Sequence, residues 1–305
     1  MVDLAQIGYE NIEAFLPMIP PTLQRESIED GEWRFMGIAD DEAVAVGVII
    51  LRTEAQSAII KYIYIVPESR NTGYINDAFS QLVFGLHDEG FVRLRMDYVP
   101  SEYPAISYLS KRFSFKENKT DKSYFRFCVS DVRRCLAASY APKGVMRLKA
   151  LPPALKNILF NKVKEKGYDI SQFGDNVMEL SLVYMVNERP MGLLLVESLK
   201  DLRSGGRSGS IGVVFPESSS ADISLIYIST GEMKAPLYLL SALCRNILKD
   251  FEDNDVITGY FDEGHMTRLL EGTLNIRGKR EVMAVLSLDE IEQIVDIEDE
   301  LLFNL

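Results

Sequence analysis

Apolar and polar residues alternate over much of the first third of the chain, and short polar breaks separate the runs. Period-two alternation predicts half-buried strands, so Val2–Ile7, Trp33–Ile38, Ala43–Arg52 and Ser57–Val66 are expected to be strands. A helical stretch near Asn11–Arg25, broken by Pro17, Pro20 and Pro21, lies between the first and second. The connections Asp40–Glu42 and Thr53–Gln56 are short and polar, which predicts an antiparallel meander that ends at Pro67. From Gly73 the period changes. Ile75, Ala78, Phe79, Leu82, Val83 and Leu86 recur at helical spacing, and Gly90 supplies a C-terminal stop. Val92–Tyr98 alternates again as a strand, Pro104–Arg112 reads as a short helix, and Phe113–Lys116 with Tyr124–Cys128 reads as a hairpin around a polar turn, Glu117–Lys122.

The order then recurs. After a short helix at Asp131–Ser139 and a linker at Ala141–Gly144 come a strand at Val145–Leu151 and a helix at Pro153–Lys166. A hairpin follows (Val177–Val186 with Met191–Ser198), then a strand at Ile223–Thr230 and a long helix at Pro236–Phe251. A strand at Val256–Phe261, a short helix at His265–Glu271 and a second hairpin (Leu274–Arg277 with Val282–Leu286) complete the series. The shared element order points to a diverged internal duplication with modules at 1–140 and 141–305. Within the second module, Asp201–Ser210 is a Gly/Ser/Arg-rich insertion with a strand-like Ile211–Phe215 behind it, and Asp289–Leu305 is an acidic helical tail.

Length and composition agree with this. The 305 residues, 47% of them apolar, suffice for two cores. No apolar run approaches the roughly 20 residues that cross a bilayer, and no export signal is expected. Three scattered cysteines (Cys128, Cys135, Cys244) without C-x-x-C spacing argue against a disulfide framework or a zinc site and suggest the cytoplasm. The two histidines, His87 and His265, are far apart in sequence, so no metal site is expected. A net charge of −12 opposes the phosphate attraction behind nucleic-acid binding. Oligomeric state is open, a homodimer included.

The chemistry concentrates at Pro67-Glu68-Ser69-Arg70-Asn71-Thr72-Gly73, between a strand and a helix, where successive backbone N–H groups and the positive end of a helix dipole can converge on an anion. In that place the chain resembles the GNAT family of acetyl-CoA-dependent N-acetyltransferases, whose P-E-x-R-x-x-G segment is matched by Pro67, Glu68, Arg70 and Gly73. The element order on both sides is also similar. The resemblance implies an α/β (α+β) fold of two tandem GNAT-like units, each a mixed, mostly antiparallel sheet flanked by helices. It implies that Arg70, Asn71, Thr72, Gly73, Tyr74 and Ile75 bind the pyrophosphate of acetyl-CoA, and that the main chain of Ile65 and Val66 pairs with the pantetheine arm. Family members carry Gly or Ala where Ile75 stands, and Ile75 also fits the apolar face of the helix.

A family tyrosine, the acid for the departing thiolate, has no direct counterpart. Tyr108 and Ser110 are the nearest hydroxyls, with packing as the alternative role of Tyr108. Ala58–Val66 offers no carboxylate base, so Asp97 and Glu54 are reserves whose ordinary role is a solvated surface charge. In the second module Pro236 falls where Gly73 would and removes an N–H donor, so that copy is expected to bind no CoA and to serve as structure or as a wall of the acceptor site. The resemblance therefore predicts acetyl transfer to a small-molecule or peptide amine, and the incomplete catalytic set leaves an inactive CoA sensor or interaction protein as the alternative.

Overall fold

The computed structural model describes residues 2–19, 23, 32–167, 179–198, 220–228, 234–262 and 264–290. The expected insertion with its strand at 211–215, most of the acidic tail and most of the second module's 229–236 junction lie outside these residues.

The elements in chain order are β1 (Val2–Gln6), α1 (Ile12–Phe15), β2 (Trp33–Asp40), β3 (Ala45–Glu54), β4 (Ser57–Ile65), α2 (Tyr74–Asp88), β5 (Arg93–Tyr98), α3 (Pro104–Arg112) and β6 (Lys116–Cys128). They continue with α4 (Val129–Val132), α5 (Leu136–Ser139), β7 (Val145–Arg147), α6 (Pro153–Glu165), β8 (Leu182–Val186) and β9 (Arg189–Ser198). Then come β10 (Ala221–Ile228), α7 (Ala235–Asp250), β11 (Val256–Asp262), α8 (His265–Leu274) and β12 (Lys279–Ser287).

Two compact units form, the first from two separate stretches of chain. The first holds the described residues up to Thr120 and those from Glu281 to Glu290, while Asp121 to Arg280 supplies the described residues of the second. The reason lies in two corrections to the sequence reading. The expected turn at Glu117–Lys122 is extended, so β6 is one strand of 13 residues. The expected hairpin near the end of the chain is likewise one strand, β12, preceded by α8. Neither strand folds back on itself. In the first unit the order is β1-β2-β3-β4-β5-β12-β6, so β12 takes the place beside β5. In the second unit β6 pairs antiparallel with β11, Val256 opposite Cys128 and Asp262 opposite Lys122, and the order continues β11-β10-β9-β8-β7. Each unit's sheet is thus completed by a strand from the other half of the sequence. The polar string 117–122 is satisfied as strand because backbone pairing, not side-chain burial, holds it.

Two smaller corrections are local. The strand expected at 145–151 stops at Arg147 and turns into a 3₁₀ segment, and the helix expected at 131–139 divides into α4 and α5.

The first unit buries one layer on each face of its sheet. Ala78, Phe79, Leu82, Val83 and Leu86 of α2 join Ile49, Leu51, Ile60, Leu94, Met96 and Tyr98 in one core. Phe79 lies 4.7 Å from the Phe113 ring and 6.1 Å from that of Phe115, tying α3 and the start of β6 to α2. The opposite face gathers Phe15 and Ile19 over Phe35, Val48, Ile50 and Tyr62. In the second unit α7 covers one face through Leu239, Leu240, Leu243 and Ile247, and α6 covers the other through Leu159 and Val163.

Candidate functional site

The site begins with a strand that changes course. β4 pairs in parallel with β5 from Ser57 opposite Arg93 to Ile60 opposite Met96, and pairing stops there although both strands continue. The β3–β4 register breaks at the same level. Leu51 faces Ile60 and Ile50 faces Tyr62, so Lys61 is an extra residue, a β-bulge. A bulge bends its strand and sharpens the twist. Beyond Lys61, β4 keeps β3 as its neighbour, and its other edge, through Ile65, is paired with no strand among the described residues.

The chain leaves β4 through a single 3₁₀ turn, Pro67–Ser69, and enters α2 at Gly73. Asn71 (φ 65°) and Gly73 (φ 87°) both take left-handed backbone angles. Gly73 has nothing within 4 Å of where a Cβ would stand, so conformation, not space, calls for glycine there. Thr72 donates its hydroxyl to the Ser69 carbonyl (2.8 Å), and its oxygen accepts from the Tyr74 N–H (3.4 Å). The N–H groups of Asn71, Thr72, Gly73 and Ile75 have no acceptor among the described residues. They open at the positive end of a 15-residue helix, an arrangement that favours an anion. Arg70 is exposed at the rim. It donates from Nε to the Ile65 carbonyl (3.1 Å), and its guanidinium lies 5.8 Å from the centre of the Tyr64 ring. Tyr74 and Ile75 pack against the α2-side core, so the Ile75 side chain is turned toward the protein interior.

Where β5 ends, its two faces carry different chemistry. On the side of α2 and α3, Tyr98 is fully buried and donates its hydroxyl to Glu117 Oε1 (2.5 Å). Ser110 of α3, also buried, donates to the same oxygen (2.7 Å). Burial, then the Glu117 hydrogen bond, pushes the Tyr98 phenol above its usual pKa, while the Ser110 and Ser107 hydroxyls act in the other direction. Ser110 therefore belongs to a cluster of hydroxyls around one carboxylate. Tyr108 does not: it is 53% exposed, on another face of α3, which also rules out the packing role.

On the other face, Arg95 holds Asp97 with two hydrogen bonds, Nε to Oδ1 (2.8 Å) and Nη2 to Oδ2 (2.6 Å). Asp97 is 4% exposed, so the expectation of a solvated surface charge fails for it. Glu54 is exposed and lies 3.8 Å from Arg52. The bulged Lys61 shares this environment. Burial lowers its pKa, the Asp97 charge opposes that, and Arg52 and Arg95 reinforce it. Glu281, from β12, is buried near Thr120, whose hydroxyl lies 3.0 Å from Oε2. Sequence reading passed over Tyr98, Glu117 and Glu281 as site residues. The interrupted alternation around Lys61 carries no signal by itself, and Glu281 belongs to a strand far away in sequence.

Among the described residues no group of three or more His, Cys, Asp or Glu side chains is arranged to hold a metal, and no helix is long and apolar enough to cross a membrane.

No family model and no curated protein matches the sequence. Solved structures do match in shape. A tandem GNAT protein from the clavulanic acid biosynthesis pathway superposes with a TM-score of 0.57 at 11% identity, covering 94% of this chain and 99% of that one. A GCN5-related N-acetyltransferase from Sphaerobacter thermophilus gives 0.54, also at 11% identity, over 94% and 96%. At that identity the likeness is one of fold: mixed α/β, in the tandem GNAT arrangement.

Proposed function

We propose that this chain is an N-acyltransferase that moves an acetyl group from acetyl-CoA to an amine by direct attack in a ternary complex. The observation that carries the proposal is the coincidence, on one strand and the turn after it, of a β4 edge that no described strand covers beyond Lys61 and four open N–H groups at the start of α2. A pantetheine arm carries amides that suit a strand edge with no neighbouring strand, and a pyrophosphate suits a helix N-terminus with an arginine. On this reading Arg70–Ile75 bind the pyrophosphate and the main chain of Ile65 and Val66 meets the pantetheine. The amine nitrogen attacks the thioester carbonyl, the C–S bond breaks, and the thiolate takes a proton. That proton is assigned to the Tyr98–Ser110–Glu117 cluster, with Tyr108 as the second candidate. The buried Asp97, on the opposite face of β5, is the candidate base for the acceptor amine. In the second unit Pro236 occupies the start of α7, and a CoA site there is not proposed.

Isothermal calorimetry with acetyl-CoA is the first test, and absence of binding at millimolar ligand would sink the proposal. An acetylation assay over small amines and peptide N-termini, read as release of free CoA thiol, is the second. Binding without turnover would favour the alternative of a CoA sensor, a reading supported by the engagement of Ser110 with Glu117 rather than with an open cleft.

A further inference from the structure

Cys135 and Cys244 are 109 positions apart in sequence, yet their sulfurs lie 3.8 Å from one another in the second unit. Both are buried, Cys135 at 4% and Cys244 at 1% exposure. Cys135 precedes the short helix α5, and Cys244 lies mid-way along α7, among Leu240, Leu243 and Ile247 of the same core. The same two stretches meet again nearby, where the Ser241 hydroxyl and the Arg245 guanidinium (3.3 Å) both donate to the Tyr140 carbonyl. The two sulfurs are therefore held on backbones that are fixed against one another by other contacts. A disulfide needs the sulfurs at about 2.05 Å, so about 1.8 Å of approach separates this pair from a bond. Sequence spacing concealed the pair, because nothing local links residue 135 to residue 244.

We infer that Cys135 and Cys244 form an oxidisable dithiol, a modification site that a hydroperoxide converts into an internal disulfide joining the α5 segment to α7. The two thiols are not equivalent. The hydrogen bond with Cys244 favours the Cys135 thiolate and lowers its pKa, aided by the N–H groups of Ala138 and Ala137 and opposed by burial. The same contact, with burial, raises that of Cys244. Cys135, the less deeply buried of the two and placed at the start of α5, is assigned as the attacking sulfur and Cys244 as the resolving one. The Cys135 thiolate attacks the peroxide. An S–O bond forms, the O–O bond breaks, and the departing alkoxide takes the thiol proton and leaves as an alcohol. Cys244 sulfur then attacks the sulfenic acid, forming the S–S bond, and hydroxide leaves with the Cys244 proton as water. Two thiols are oxidised and one hydroperoxide is reduced.

The test uses the full chain carrying Cys128→Ser, so that the third cysteine, which is only partly buried, cannot make dimers. After hydrogen peroxide, titration of thiols under denaturing conditions is expected to fall from two to none. Non-reducing peptide mapping is expected to recover one species joining the Cys135 and Cys244 peptides, and a thiol reductant is expected to reverse both changes. The same mapping on the unsubstituted chain guards against a folding defect in the variant. Retention of both thiols, or their conversion to sulfinic or sulfonic acids without a cross-linked peptide, would overturn the inference. Neither readout depends on acetyl-CoA, so the outcome is separate from that of the proposed transferase activity.

Discussion

The Arg95–Asp97 pair yields an asymmetry that can be measured. Two charge-assisted hydrogen bonds of 2.8 and 2.6 Å join a carboxylate whose side chain is 5% exposed to a guanidinium that is 38% exposed. Breaking a fully buried pair costs about 3–5 kcal/mol, chiefly because one charge is stranded, whereas a surface pair is worth about 0–1 kcal/mol. Here the consequences differ by partner. Asp97→Ala leaves Arg95, which can turn to water, so the expected loss is about 1.5 kcal/mol. Arg95→Ala strands Asp97 in the interior with Lys61 as its remaining cationic neighbour on β4, and the expected loss is about 3 kcal/mol. The double substitution should cost less than the sum, with a coupling of about 1 kcal/mol or more. Urea unfolding can be followed by the fluorescence of the single tryptophan, Trp33, which sits on β2 and so reports on the first unit. Equal losses for the two single variants, a larger loss for Asp97→Ala, or strict additivity would each refute the reasoning.

Arg70→Ala should weaken acetyl-CoA binding about tenfold, or about 1.4 kcal/mol, by calorimetry, and unchanged affinity would count against a phosphate role. Tyr98→Phe deletes the hydroxyl on Glu117 and should cost about 1–2 kcal/mol in urea unfolding; if the cluster supplies the proton, turnover falls by a larger factor than acetyl-CoA affinity. Lys61 has a lowered pKa, so between its folded value and the usual 10.5 the unfolded chain holds a proton that the folded chain has given up, and stability rises with pH through that window. Lys61→Met should therefore raise stability at neutral pH and flatten the rise toward 10.5, as read from urea midpoints against pH. Gly47→Ala would set a methyl 2.5 Å from the Tyr64 carbonyl oxygen and 2.6 Å from Ile65 Cδ1, so β4 must shift near the proposed pantetheine contact; a loss of about 1–3 kcal/mol in urea unfolding is expected.

The strands of the meander, the helical face of α2 and the turn at Pro67–Gly73 were legible because each is written in a period or in backbone chemistry that a short window contains. The order of elements around that turn was legible too, and with it the resemblance to GNAT folds. Ile75 was legible in the same way: it fits the apolar face of the helix in sequence, and its side chain packs against the core as Tyr74 does.

The sequence by itself determined the strands of the first meander, the α2 helix and the turn whose N–H groups stay open, since φ preferences at Gly73 and the spacing of Ala78, Phe79 and Leu82 act within a turn or two. Only the tertiary structure decided which strand lies beside which. Glu117–Lys122 looks like a hairpin turn to any local reading, yet it extends because β11 and β12 offer it partners, and closing the long loops to them costs little more than closing short ones, as loop entropy grows only logarithmically with length. The bulge at Lys61, the burial of Asp97 beneath Arg95, the Tyr98–Ser110–Glu117 cluster and the meeting of Cys135 with Cys244 all follow from pairing and packing, and the last joins residues that no window of sequence holds together.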